Sequence, residues 1–213
     1  MLTQTTKAVS FAALHAQADA FIIPNPWDVG TARLLATLGF EALATTSAGY
    51  AFSAGRPDNV VTRDETIAQA ASIASATDLP VSADLENGFG DDPGSVAETI
   101  RLAAAAGVVG GSIEDASART NGKPYDITLA TDRIRAAGEA AHDHDAAAAD
   151  ERRVESRHTP AIDPGVLQVV AQPHTNRDRT SGIRCGDDAA ERHGGIVVIA
   201  LARTQPRRPV VLR

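Results

Sequence analysis

An α/β fold, a parallel sheet covered by helices, is predicted by three features of this chain. Short apolar runs recur at 42–46, 79–83 and 108–113. Between them lie Ala-, Leu- and Ile-rich stretches with helical spacing, most opened by a capping residue and closed by glycine. Two of the runs also end on acids, Asp84-Leu85-Glu86 and Glu114-Asp115. Continuous apolar strands alternating with amphipathic helices indicate a sheet buried on both faces, which is the habit of parallel sheets.

The elements follow in order. Phe21-Ile22-Ile23 reads as a first strand, ended by Pro24-Asn25-Pro26. Asp28 caps a helix over 30–38, with Ala32, Leu35, Ala36 and Leu38 able to face inward and Gly39 as its stop. Ala42–Thr46 is the second strand. Thr62 and Glu65 have capping-box spacing and open a helix running to about Thr77. Leu79–Ala83 is the third strand. Asp92-Pro93 starts a helix that stops at Gly107, because Pro fits the first turn and Gly the end. Val108–Ile113 is the fourth strand, and 127–141 the fourth helix. Beyond it, Val166–Ala171 and Ile196–Ala202 are the only convincing apolar runs, and neither has a patterned helix beside it.

The acids carry the chemistry. Residues two apart on a strand share a face, so Asp84 and Glu86 are expected to leave the strand end together. Asn87-Gly88-Phe89-Gly90 follows and leaves room beside them. Carboxylates so placed suit Mg²⁺, which binds through one or two acids and keeps several waters. Acids at strand ends also serve as caps, but the second pair at Glu114-Asp115 brings carboxylates to the same edge, where parallel α/β sheets bind ligands. Gly88-Phe89-Gly90 lacks the spacing and the lysine of a phosphate loop. Trp27 and Tyr50 are candidates for lining a pocket, with core packing the alternative for Trp27.

Composition bounds the rest. A net charge of -7 argues against a nucleic-acid partner. One cysteine, Cys185, excludes an intramolecular disulfide and a Cys-based metal site. No apolar stretch approaches the ~18 residues of a membrane span, so a cytoplasmic enzyme is expected. The chain also changes character near Ala141. All eight aromatic residues and both lysines precede residue 142, whereas five of six histidines lie from His142 onward. Domain organisation is therefore read as 1–141 and an Arg/His/Ala-rich tail, 142–213. Such a tail has little with which to build a core.

Asn25-Pro26-Trp27-Asp28, Thr45-Thr46-Ser47-Ala48-Gly49, Gly55-Arg56-Pro57-Asp58, Ala83-Asp84-Leu85-Glu86-Asn87-Gly88-Phe89-Gly90 and Ser112-Ile113-Glu114-Asp115 stand in one order and spacing. Together they resemble the isocitrate lyase / phosphoenolpyruvate mutase superfamily, from about Phe11 to about Ala141. That resemblance implies a (β/α)8 TIM-barrel type fold, of which only the first four β-α units are recognisable. It implies Mg²⁺ (or Mn²⁺), a small 2-oxo acid substrate, and C–C or P–C bond chemistry through an enolate. Residue by residue, it implies Asp84 as the direct metal ligand, with Glu86 and Glu114 holding metal-bound waters. Ser47, Ala48 and Gly49 match a turn that holds the substrate carboxylate, and Asp58 an acid on a loop near the reacting end.

There are departures. The Lys-Lys-Cys-Gly-His loop of the lyases that cleave isocitrate or methylisocitrate is replaced by residues 116–125, without Cys or His, so that cleavage is not expected. Lys123 is a candidate cationic substitute, with a solvated loop lysine as the alternative. At 213 residues the chain is short for a full barrel of about 250. The tail matches none of the later family motifs and is read as divergent, disordered or out of frame. His142 and His144 lack supporting ligands. A half barrel leaves sheet edges exposed, which favours a homo-oligomer. A catalytically inactive relative, or a 2-oxo acid or partner-binding module without turnover, are the competing readings.

Overall fold

The computed structural model describes residues 1–116, 123–155, 168–173 and 195–200. It is α/β with a parallel sheet at its centre. Helix α1 (Gln4–His15) precedes α2 (Val29–Thr37), β1 (Leu43–Ala44), α3 (Ser47–Ser53), α4 (Arg63–Ala74) and β2 (Val81–Asp84). Then come α5 (Pro93–Ala105), β3 (Gly110–Glu114), α6 (Ile127–Glu155), β4 (Gln168–Pro173) and β5 (Gly195–Ala200). Strands β1, β2 and β3 are parallel neighbours, with Leu43 opposite Val81 and Asp84 opposite Ser112. Among the described residues no helix is long and apolar enough to cross a membrane.

The local signals work as expected at the caps. Asp28 accepts from the Thr31 N–H, Thr62 and Glu65 form a capping box, and Asp92 accepts from the Ser95 N–H ahead of Pro93. Gly39 and Gly107 end their helices with φ of 86° and 87°, which glycine adopts without a Cβ penalty.

The structure corrects several element readings. Residues 21–23 form no strand. Only one backbone bond, Ala44 N–H to Pro24 O at 3.1 Å, ties this segment to β1, because Pro24 and Pro26 have no N–H to give. Leu38 is exposed, since the helix turns it away before Gly39. The fourth helix does not stop at 141 but continues to Glu155, so the change in composition falls inside α6. The two apolar runs of the tail do form strands, yet the sheet is not wholly parallel. Strand β4 joins β3 in parallel, whereas β5 runs antiparallel to both. An antiparallel return needs no crossover helix, and 174–194 carries no helical apolar pattern. Most of the residues behind the disordered or out-of-frame reading of the tail, with Cys185, lie outside those described.

Helix α1 was not foreseen, and it closes the edge of the sheet opposite the acids. Phe11, Leu14 and Ala8 pack with Ala42 and Val109, and a Cβ on Gly110 would come within 2.7 Å of the Phe11 ring. Only glycine lets the ring approach. Lys7, also on α1, is buried, its Nζ donating to Ala74 O at 2.8 Å and Thr77 O at 2.6 Å. It satisfies carbonyls that the end of α4 leaves unpaired. Burial holds its ammonium below the usual lysine range, with Asp78 acting in the opposite sense.

Candidate active site

Asp84 is the last residue of β2. Its N–H donates to the Thr45 hydroxyl at 2.9 Å. Its Oδ2 accepts from the Ser47 N–H at 3.0 Å and its Oδ1 from the Glu86 N–H at 3.1 Å. Both carboxylate oxygens are thus fixed, and each keeps lone-pair capacity for a further partner.

The chain then turns sharply. Glu86, Gly88 and Phe89 have φ of 48°, 77° and 59°. The expectation that Glu86 shares a pleated face with Asp84 is therefore corrected: the strand has ended, and a left-handed backbone aims Glu86. For a residue with a Cβ that conformation costs on the order of 1 kcal/mol or more and persists where its surroundings enforce it. A 2.7 Å bond from the Glu114 N–H to Glu86 O joins the turn to β3.

Glu86 is only 8% exposed, and its Oε1 is buried without a hydrogen-bond partner among the described residues. Burial, then the charges of Asp84, Asp58 and Glu114, push its carboxyl up to about 7. Four of the expected acids are therefore brought into one electrostatic neighbourhood. Asp58 reaches it from an exposed loop, where its Oδ1 accepts from the Asn59 N–H at 2.9 Å. Arg56 anchors that loop through Glu65 at 2.9 Å.

Ser47–Gly49 is not an isolated turn but the opening of α3. The Ser47 N–H is engaged by Asp84, and the Gly49 N–H by the Thr46 hydroxyl at 3.3 Å. Neither bond uses the Ala48 N–H or the Ser47 hydroxyl, the other two donors of this turn. Gly49 has no room for a side chain: its Cβ would lie 2.5 Å from Trp27 Nε1. Trp27 itself is 43% exposed and meets Phe52 edge-on at 5.8 Å, so it is only partly core. Lys123 is exposed beside a bridge between Ala116 and Pro124, and 117–122 lie outside the described residues.

Sequence reasoning missed the support behind the acids. Arg133 of α6 is 1% exposed. Its guanidinium donates to Asn87 O, to Gly90 O at 2.6 Å and to Glu114 O at 3.5 Å, and it lies 4.4 Å from the centre of the Tyr125 ring. The Tyr125 hydroxyl donates to Asp91 at 2.7 Å and accepts from the Asn87 amide at 2.9 Å. A signal was present: Arg133 shares one helical face with the buried Ala137, Ala140 and Ala141, where an unpaired arginine would be costly.

The donor set fits a hard cation. An orphaned, buried carboxylate oxygen pressed by three like charges is a poor arrangement for a bare protein and a good one around a divalent ion. Among the described residues no group of three His, Cys, Asp or Glu side chains is arranged to hold an ion alone. The fit is to an ion that keeps waters between itself and most of the acids.

Comparison with known proteins agrees with the resemblance. The family model of phosphoenolpyruvate phosphomutase matches residues 11–159. A Mycobacterium tuberculosis protein of uncharacterised function is 40% identical over 127 residues, 59% of this chain and 46% of its own length. The 2,3-dimethylmalate lyase of Eubacterium barkeri is 36% identical over 96 residues, 44% of this chain and 33% of its own. A crystal structure from Burkholderia cenocepacia J2315, assigned as a lyase/mutase, is 62% identical with a TM-score of 0.64, covering 65% of this chain and 50% of that one. The chain spans about half the length of the relatives it matches, or less. The motifs read from the sequence, the acid-lined sheet edge and the match over 11–159 agree, and the chain belongs to the phosphoenolpyruvate phosphomutase family.

Proposed function

We propose that this chain serves an Mg²⁺- or Mn²⁺-dependent lyase or phosphonomutase, making or breaking a C–C or P–C bond beside a small 2-oxo acid. The observation that carries the reading is the buried Glu86 carboxyl, one oxygen unpartnered among the described residues, crowded by Asp84, Asp58 and Glu114 at the sheet edge. In this reading Asp84 contacts the ion, and Glu86 and Glu114 hold its waters. Bound there, the ion supplies Lewis-acid stabilisation of negative charge on the substrate's 2-oxo oxygen.

The remaining roles fall to the chain's own groups. The Ala48 N–H and the Ser47 hydroxyl hold the substrate carboxylate, which fixes the reacting carbon relative to the acids. Asp58, tethered through Arg56 to Glu65, stands at the reacting end as a proton-transferring group. Lys123 is the cationic group of the following loop. Strands β1–β3 with their helices belong to the first half of a (β/α)8 barrel, which assembles as a cytoplasmic homo-oligomer.

Turnover of oxaloacetate or phosphonopyruvate with Mg²⁺, absent in Asp84→Asn, tests the reading. Oxalate, which resembles the enolate of pyruvate, should bind only when the metal is present. Isocitrate and methylisocitrate should stay intact, and release of glyoxylate or pyruvate would overturn that part. One observation favours a second reading, a 2-oxo acid-binding or inactive member: residues 116–125 contain neither Cys nor His. Metal-dependent oxalate binding without turnover of either substrate would select it.

A further inference from the structure

Two carboxylates of the acid site stand on separate pieces of backbone. Glu86 lies in the left-handed turn after β2, and Glu114 ends β3. Their spacing depends on what joins those pieces. Two links are backbone bonds, Glu114 N–H to Glu86 O and Leu85 N–H to Ser112 O. A side-chain link is Arg133, whose guanidinium reaches the carbonyl of Asn87, next to Glu86, and the carbonyl of Glu114 itself. Resting on the cation site proposed above, we infer that Arg133 is a positioning residue of that site, fixing the separation of Glu86 and Glu114 by holding both flanking carbonyls on one rigid fork.

Three observations support this. The carbonyls that the guanidinium holds, Asn87, Gly90 and Glu114, all belong to the acid-bearing turn or the acid-bearing strand end. A residue serving only to seat α6 would bond α5, its packing neighbour, instead. The turn holds left-handed φ at Glu86 and Phe89, which demands external enforcement. The fork is itself immobilised, because Tyr125 stacks on it and ties Asn87 and Asp91 together through its hydroxyl. A guanidinium presents five N–H donors in a fixed plane, whereas a lysine offers a point charge that cannot span the same carbonyls.

The test compares wild type with Arg133→Lys, reading thermal midpoint, amide exchange and Mn²⁺ affinity by calorimetry. Arg133→Lys should remain folded, with exchange at Gly88–Gly90 faster and Mn²⁺ bound more weakly, each by about tenfold or more, while α5 amides keep their wild-type rates. Tyr125→Phe, which keeps the stack and loses the hydroxyl, should move the same two readouts in the same direction by less. A folded Arg133→Lys with wild-type exchange in the turn and wild-type Mn²⁺ affinity would overturn the assignment. Should Arg133→Lys not fold, Arg133→Gln, which keeps a planar N–H donor, is held to the same criterion. Absence of Mn²⁺ binding by wild type would refute the cation site, and the exchange result alone would then decide the positioning role.

Discussion

The two edges of the sheet each bury a charged group, and they treat it differently. At the α1 edge, Lys7 is buried and donates to two carbonyls at the end of α4. At the acid edge, Glu86 is buried with an oxygen that no described residue satisfies and three like charges around it. Folding alone explains the first arrangement, because a paired polar group stabilises the helix end it caps. The second opposes folding, since an unpaired buried carboxylate is destabilising. A chain that keeps it gains something other than stability. Under the proposed function, the contrast separates a structural edge from a working one.

That contrast can be broken from the structural side first. Phe11→Ala should lower stability by about 3–5 kcal/mol, from lost burial plus the cavity left against Gly110 and Val109. Urea denaturation would measure it, and Mn²⁺ affinity should not change while the protein remains folded. A change in affinity as large as the change in stability would mean that the two edges are not independent.

The next effect belongs to Glu86 and depends on pH. Its carboxyl in the folded protein titrates at about 7, above the ordinary 4.5. Between those values the folded state holds a proton that the unfolded state has released. Stability of the metal-free protein should therefore fall as pH rises from about 4.5 to 7 and level off above, by up to about 3 kcal/mol from this group. Glu86→Gln should flatten that slope and be the more stable protein at pH 8. Urea midpoints at pH 5 and pH 8 for both proteins decide it; an unchanged slope in the variant would assign the effect elsewhere.

The smallest effect should come from Lys7→Met, which keeps the stem and removes the donors. Leaving Ala74 O and Thr77 O without this partner should cost about 1–3 kcal/mol. Thermal unfolding measures it, and amides near the end of α4 should show the largest rise in exchange.

Legibility in the sequence followed distance along the chain. Caps and stops were readable because Asp28 with Thr31, Thr62 with Glu65, and Asp92 with Ser95 lie three residues apart and need no tertiary partner. The acids of β2 and β3 were readable because their motifs close apolar runs. Helix α1 was missed because it precedes the β-α alternation and its apolar face answers to Ala42 and Val109, far along the chain. The strand at 21–23 failed because two prolines remove the donors that its ladder requires. Glu86 escaped the pleat argument through its left-handed φ, and Arg133 was unreadable as support because its partners lie 43, 46 and 19 residues away. Strand β5 departed from the parallel pattern. Its antiparallel register sets Ile196 opposite Glu114, so it begins near the acid edge and leads away from it.

The claim that the acid edge is a divalent-cation site is tested most directly by calorimetric titration of Mn²⁺ into wild type and Asp84→Asn at pH 7. Asparagine keeps an acceptor for one of the two N–H groups, Ser47 or Glu86, and turns its amide NH2 toward the other, so thermal unfolding of the variant accompanies the titration to show that the fold persists while the charge is lost. Saturable binding to wild type, weakened by about a hundredfold or more in the variant, is the predicted result. Equal affinity in the two proteins, or no saturable binding to the folded wild type, would contradict it.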